Sequence, residues 1–195
     1  MVSKLSICNL ALAHLGQAPI SSLTQEDERA RRLNLFYEPV RDEILRAHNW
    51  GFAEAVCTLT LVTPPQERTG GFLYQYPGQA LFVRRVFAAQ APQQALYFQV
   101  FFDESTQMRV LQVACAQACA QYTRRITDET LFDASFVKVF SLALACDLAV
   151  TLTSDFQLAG QLFNKYQLCL EEARRANMSE RFEVTASQDT FTEAR

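Results

Sequence analysis

Histidine is scarce in this sequence, and the motifs that depend on it are missing. The 195 residues include two histidines, His14 and His48, which lie on different predicted helices. A zinc motif needs histidines or cysteines at short, regular spacing, and a cysteine nucleophile needs a histidine as its base. Neither pattern can be read from the local sequence. We therefore expect no metal site and no catalytic residues of these kinds.

Glycine is also scarce, with six residues, and none of them belongs to a phosphate-binding loop. Such a loop lies between a strand and the positively charged N-terminus of a helix. The adjacent pair Gly70-Gly71 lies between two predicted strands, with no helix directly after it. We interpret the pair as a turn and expect no bound nucleotide or other cofactor.

The chain has no excess of positive charge. It contains 18 basic and 21 acidic residues, which gives a formal net charge of -3. Proteins that grip DNA or RNA usually present lysine and arginine to the phosphate backbone. Tight, sequence-specific binding of nucleic acid is therefore not expected.

Long uninterrupted apolar runs are missing as well. The stretch from Phe136 to Leu152 comes closest, but it includes Lys138 and Asp147 and is shorter than the roughly 20 apolar residues that cross a bilayer. We expect a buried helix there and no membrane partner. The first predicted helix contains Asn9 and lacks the apolar core of a signal peptide.

The cysteines are dispersed, unlike those of a disulfide framework. Several fall on apolar helix faces, where a free thiol packs as a small hydrophobic group, so we expect reduced thiols in a cytosolic environment. Cys115 and Cys119 are four residues apart, but no further metal ligands lie near them. The six cysteines are Cys8, Cys57, Cys115, Cys119, Cys146 and Cys169.

Hydrophobic residues make up 49% of the chain and include 15 phenylalanines, so a large core is expected. Apolar residues at spacings of three and four predict four helices. Thr24 is the expected N-cap of the second helix, and Pro39 is expected to kink it. The predicted helices are Lys4 to Leu15, Thr24 to His48, Asp133 to Leu152 and Asp155 to Ala176. The predicted apolar seam of the fourth is Phe156, Ala159, Phe163, Tyr166, Leu170 and Ala173.

Between the second and third helices the sequence is rich in Val, Phe, Tyr and Thr and is punctuated by Pro and Gly, which is typical of β-structure. The turn at residues 103–105 predicts a hairpin. The predicted strands are Cys57 to Val62, Leu81 to Ala88, Leu96 to Phe101, Met108 to Val113 and Ala116 to Arg124.

These elements predict an α+β fold: a mainly helical, four-helix bundle-like domain with an inserted antiparallel β-domain and an extended C-terminal arm. The arm is polar, with spaced apolar residues that could dock on a partner, namely Phe182, Val184 and Phe191. The predicted divisions are 1–54 (helical, first half), 55–126 (β-domain), 127–177 (helical, second half) and 178–195 (arm).

Three clusters, taken together, resemble one known family. The first is YEPVRDEIL at 37–45 with HNWGFA at 48–53, and the second is YQYP at 74–77 with LFVRRV at 81–86. The third is YTRRITD at 122–128, followed by Phe132-Asp133, Phe136, the long apolar helix and LTSD at 152–155. Their order and spacing are similar to those of the tail tubular protein A family, the head-to-tail adaptors of short-tailed bacteriophages. The resemblance covers about Leu5 to Ala176.

The resemblance implies a structural virion protein and not an enzyme. Members form a ring, typically of twelve subunits, between the portal and the tail nozzle, and double-stranded DNA passes through its centre. The expected partners are therefore further copies of the chain, the portal protein and the nozzle protein. The expected location is the virion tail, with assembly in the host cytoplasm.

The resemblance also favours a packing role for aromatic residues at the end of the first helical half and within the β-domain. We expect Trp50, Phe52 and Tyr76 to anchor the β-domain on the helices. Two departures from the family pattern are visible. Gly78-Gln79-Ala80 stands where members usually have an acidic residue, and Ala134 stands where they often have proline.

Two other classes of function stay open. A tail-associated cell-wall hydrolase would need two carboxylates, one with a raised pKa, and Glu43, Glu54 and Glu67 are the candidates. A DNA-binding terminase or scaffold component would retard duplex DNA at low salt.

Overall fold

The structure is a computed structural model that describes residues 2–62, 67–68 and 71–180. Four α-helices form, as the apolar spacing predicts, and their ends differ from the expected ones by a few residues. The predicted arm residues Phe182, Val184 and Phe191 lie outside the described residues. The helices are α1 (Lys4–His14), α2 (Glu28–Ala47), α3 (Ala134–Thr153) and α4 (Phe156–Ser179).

Each helix begins at a side chain that satisfies free backbone N–H groups of the first turn. Ser3 forms a capping box for α1, and Asp133 and Asp155 cap α3 and α4. The predicted cap Thr24 is wrong, because Asp27 accepts from the backbone N–H of Arg29 and starts α2. The Thr24 hydroxyl is instead hydrogen-bonded to Ser22, 2.7 Å away, in the preceding loop.

Helix α3 lies at the centre of the helical part. It contacts α1, α2 and α4, and it buries apolar residues on nearly every side, as expected. Phe136 and Phe140 are fully buried and stack against each other and against Phe132. Together with the two sheets described next, these helices confirm the α+β fold. The finer prediction of a four-helix bundle-like arrangement stays a prediction.

Eight strands form two antiparallel four-stranded sheets. The first has the order β1-β8-β4-β5 and the second β2-β3-β7-β6. Residues of both sheets, among them Val83, Val86, Leu111 and Ala120, share one buried cluster. The strands are β1 (Glu54–Thr58), β2 (Glu67–Arg68), β3 (Gly71–Gln75), β4 (Ala80–Ala88), β5 (Ala91–Leu96), β6 (Phe98–Asp103), β7 (Met108–Val113) and β8 (Ala118–Arg124).

Several strand predictions need correction. The predicted strand Cys57 to Val62 begins earlier and ends at Thr58, and Leu61 makes only a single bridge to Tyr74. The predicted strand Leu96 to Phe101 is divided at Tyr97 between two strands in different sheets. Strands β2 and β3 were not predicted. The hairpin at residues 103–105 is confirmed, because β6 and β7 pair around it.

One glycine is required by the second sheet. Gly71 has a φ of 124°, and a Cβ atom there would collide with the backbone carbonyl of Val113 on β7. The glycine thus permits the close approach of β3 to β7.

The predicted seam of α4 is partly wrong. Leu162, Cys169, Leu170 and Ala173 are buried, but Phe156 is 76% and Phe163 is 53% exposed. The buried stripe is therefore rotated away from the two phenylalanines, which face solvent. In the described part of the chain, all strands lie within residues 54–124 and all α-helices lie outside that range. The predicted domain boundaries themselves stay a prediction.

Candidate interaction surfaces

Trp50 and Phe52, two predicted anchors, lie where α2 leads into β1. Trp50 is fully buried, and its indole Nε1 donates a hydrogen bond to the carbonyl of Ile44, 2.9 Å away. The rings of Trp50 and Phe52 both meet Phe136 of α3 edge-on, with centroids 5.2 and 5.1 Å from it. Both side chains belong to the helical core or pack against it, and their anchoring role for the β-strands stays a prediction.

Tyr76, the third predicted anchor, follows β3 at the edge of the sheet core. The Arg109 guanidinium lies 3.9 Å from the centre of its ring, a cation–π contact. The backbone N–H of Tyr76 also donates to the carbonyl of Arg109. Tyr76 is therefore held to β7, and its predicted role in joining the β-strands to the helices is not tested by these contacts.

Arg84 of β4 joins the sheet to the end of α2, a link that the sequence did not reveal. Its guanidinium donates to the carbonyls of Arg46, at 2.6 Å, and His48, at 2.8 Å. Its Nε donates to the hydroxyl of Thr123 on β8, at 2.9 Å. Arg46 and Arg84 also lie over the ring of Phe82. Carbonyls left free at the end of α2 thus gain a charged donor from the sheet.

Asn177, on the last turn of α4, reaches the same junction. The residue is 4% exposed, and its side chain contacts residues 48, 49 and 51. Nearby, Glu54 accepts from the side chains of Asn49, at 3.0 Å, and Gln121, at 2.6 Å. The ends of α2 and α4 and the first sheet therefore meet in one hydrogen-bonded network.

The clusters that carry the family resemblance contact one another here. The hydroxyl of Tyr37 in the first cluster donates to Glu129, just beyond the third, at 3.1 Å. Asp42 of the first cluster pairs with Arg125 of the third at 2.8 Å. Arg84 links the second cluster to the other two, as described above. Segments that are far apart in sequence thus share one junction.

Two groups of large apolar side chains are exposed to solvent. The first, called the α4 outer face, consists of exposed apolar side chains distributed along α4. The second lies on the second sheet and the connection into it. Exposed apolar patches of this kind mark interaction sites more often than isolated exposed residues do. The α4 outer face comprises Phe156, Phe163, Leu168 and Met178, and the second group comprises Tyr97, Val100, Phe102 and Met108.

A cavity of about 400 Å³ opens between the turn before β4 and the segment after β8. Gly78-Gln79-Ala80, where the sequence departs from the family pattern, forms one wall. Arg124, Arg125 and Asp128 line the other side. Hydrogen bonds from the side chain and backbone of Thr130 lower the pKa of Asp128. The wall therefore carries charges of both signs and does not select for an anion.

The carboxylates proposed for a hydrolase have separate surroundings. Glu54 is bound within the junction network, and the side chain of Glu67 lies outside the described residues. Burial, followed by the charge of Glu43, raises the pKa of Asp147 on α3. Glu43 and Asp147 do not line the cavity between residues 78 and 131. They also do not line a second, more open cavity at residues 101–105.

Metal-binding clusters are absent from residues 2–62 and 71–180: no group of three His, Cys, Asp or Glu residues could hold an ion there.

Helix α3 is long and apolar enough to cross a membrane, with a mean hydropathy of 1.8. However, 61% of its most apolar window is buried against the rest of the protein, which is typical of a core helix.

No protein-family model matches this chain, and no curated protein matches it in sequence.

Proposed function

We propose that this chain is a head-to-tail adaptor subunit of a short-tailed bacteriophage. In this proposal the subunits form a ring between the portal and the tail nozzle, and DNA passes through the ring. The observation that carries the proposal is the contact between the three resembling clusters at one junction. Asp42, Arg84 and Arg125 bring them together, as expected if the clusters form one structural signature and not three chance matches.

The surface supports the same proposal. A ring subunit needs apolar contact area on at least two sides, because each subunit meets a neighbour on either side. The α4 outer face and the exposed apolar residues of the second sheet lie on different elements. The net charge of -3 per subunit favours a conduit in which DNA slides without being gripped.

The proposal is tested by the mass of the assembly. The purified chain would be measured by native mass spectrometry and electron microscopy, alone and with portal rings. We expect a ring, with twelve copies of the 22.1 kDa chain as the number that the resemblance implies. A chain that stays monomeric and does not bind the portal would contradict the proposal.

One observation favours the hydrolase alternative enough to justify a test. Glu43 and Asp147 are neighbouring carboxylates, and burial raises the pKa of Asp147, as a general acid requires. A zymogram with purified protein would show clearing if the chain cleaves cell-wall glycan. Loss of clearing in Asp147→Asn would assign the activity to this pair of carboxylates. Absence of clearing by the wild type would contradict the hydrolase alternative and leave the adaptor proposal standing.

A further inference from the structure

Asn177 is positioned by three hydrogen bonds to the segment that leads from α2 to β1. Its Oδ1 accepts from the backbone N–H of Gly51 at 2.8 Å. Its Nδ2 lies 3.0 Å from the backbone carbonyl of Asn49 and 3.0 Å from Nε2 of His48. These three contacts are called the Asn177 latch below. They hold the last turn of α4 against the junction.

The orientation of the Asn177 amide is set by the backbone. The N–H of Gly51 can only donate and the carbonyl of Asn49 can only accept, so Oδ1 must face Gly51 and Nδ2 must face Asn49. One hydrogen of Nδ2 is used by Asn49, and the other points at Nε2 of His48. His48 must therefore accept at Nε2, which requires a neutral ring whose proton is on Nδ1.

We propose that the Asn177 latch is pH-sensitive and opens when His48 is protonated. An imidazolium carries a proton on both nitrogens, so Nε2–H would point at the hydrogens of the Asn177 amide. Rotating the amide by 180° would offer Oδ1 to His48, but it would break the bonds to both Gly51 and Asn49. Protonation therefore costs at least one buried hydrogen bond in either arrangement.

Among the described residues, four elements bring charged side chains near His48. Arg46 of α2 and Arg84 of β4 are cationic, and the Arg84 guanidinium donates to the carbonyl of His48 itself. Glu54 of β1 carries an opposing charge and accepts a hydrogen bond from Asn49. On α4, one turn before Asn177, Arg174 is paired with Glu171 at 2.8 Å. The latch is closed when the ring is neutral and opens when the ring gains a proton as the pH falls.

The latch decides where the chain leaves α4, because Asn177 lies two residues before the end of the helix at Ser179. The proposed partner-binding residues Phe182, Val184 and Phe191 follow. If they dock as the proposed function requires, an open latch would change the direction from which they reach a partner. This consequence rests on the proposed function, whereas the latch itself does not.

The test uses nuclear magnetic resonance on the full-length isolated chain in a His14→Gln background, which leaves His48 as the single histidine. At pH 8 we expect the Nδ1–H tautomer, with an unprotonated Nε2. We expect the Gly51 amide and the Asn177 side-chain amide to exchange slowly at pH 8. At the acidic end of the comparison their protection should be roughly tenfold lower once intrinsic exchange is accounted for. An Nε2–H tautomer at pH 8, or protection that is the same at pH 8 and pH 5, would overturn the inference.

Two variants give opposite expectations. His48→Gln keeps an acceptor that does not titrate, so the pH dependence of Gly51 protection should disappear. Asn177→Asp offers a carboxylate to His48, so protection should rise as the pH falls. The same pH dependence in His48→Gln as in the parent would assign the effect to another group and overturn the inference. Ring assembly of these variants bears only on the proposed function, because the latch is measured in the isolated chain.

Discussion

At the residue scale, the folded chain depends on a few side chains that join apolar packing to a hydrogen bond. Trp50 fills the helical core and at the same time satisfies the carbonyl of Ile44 near the end of α2. Arg84 donates to two further carbonyls at this end, those of Arg46 and His48. The indole of Trp50 and the guanidinium of Arg84 therefore donate to carbonyls at the C-terminal end of α2, a role that a glycine C-cap motif often fills through the backbone.

Trp50→Ala should lower the free energy of unfolding by about 3–5 kcal/mol, because it opens a cavity beside Phe136 and leaves a buried carbonyl without its donor. Phe156→Ala is the matched control. It removes an exposed aromatic ring and should change stability by less than about 0.5 kcal/mol. Urea denaturation of both variants measures the difference. Equal stabilities would contradict the anchoring role of Trp50.

Cys8 provides a prediction about alkaline pH. Burial raises the pKa of its thiol to about 12. An unfolded cysteine titrates near pH ~8.5, so between these values the unfolded chain loses a proton that the folded chain keeps. Stability should therefore fall as the pH rises above about 9, by up to about 1.4 kcal/mol per pH unit from this group.

Cys8→Ala is the control for this alkaline effect. The substitution removes the titrating group, so the slope of stability against pH between about 9 and 10 should become shallower, whatever its cost at neutral pH. Above that range Tyr37 adds to the slope, because burial and Glu129 also raise its pKa. An unchanged slope in Cys8→Ala would show that the thiol already ionises in the folded protein.

At the element scale, α3 stabilises the helical part because three other helices pack on it. Leu144 is fully buried and Val150, on the same helix, is 39% exposed. Leu144→Asp should prevent folding, since it loses roughly 1.5–3 kcal/mol of apolar burial and also places a carboxylate in the core. Val150→Asp should fold and melt close to the wild type. Circular dichroism of the two variants decides, and a normal melt for Leu144→Asp would contradict the central role of α3.

The sequence predicts the four helices because their apolar spacing persists over many turns, but it predicts the buried face of α4 less well. Phe156 and Phe163 form one stripe at a seven-residue spacing, and Leu162 and Cys169 form another. Periodicity identifies both stripes, and only packing against α3 decides that the second is buried. The cap of α2 was also mispredicted, because both Thr24 and Asp27 have side chains that can cap a helix. In the structure the Thr24 hydroxyl bonds to Ser22 in the loop, and Asp27 caps the helix.

The strands and the candidate site were harder to predict than the helices. Strands β5 and β6 are separated only by Tyr97, so their apolar residues read as one run. The junction around Arg84 and Asn177 has no local signal, because each of its hydrogen bonds to the end of α2 spans more than 30 residues. Trp50 and Phe52 could be picked out as aromatics that pack on the core. The partners of Asn177 could not.

At the scale of the whole molecule, stability and assembly should depend on different residues. The α4 outer face contributes little to the core, so Phe163→Asp combined with Leu168→Asp should leave the melting temperature within a few degrees of the wild type. If the face contacts a neighbouring subunit, the double variant should no longer form rings in native mass spectrometry. Leu35→Asp, an exposed change on α2 that lies outside both apolar groups, shows whether any added charge has this effect. Normal rings from the double variant would place the interface elsewhere.

The end of the chain should separate folding from attachment most clearly. The sequence of this arm is polar, with apolar residues too sparse to form a core, so deleting residues 181–195 should hardly change the melting temperature. Fully extended, these residues would reach roughly 50 Å, far enough to contact a portal or a neighbouring subunit with Phe182, Val184 and Phe191. We therefore expect the truncated chain to fold but to lose stable attachment to portal rings, measured by co-sedimentation. Replacing only the three apolar residues with serine should have the same effect at full length. Truncated protein that joins the portal normally would assign attachment to the folded part, and the α4 outer face would then be the first surface to test.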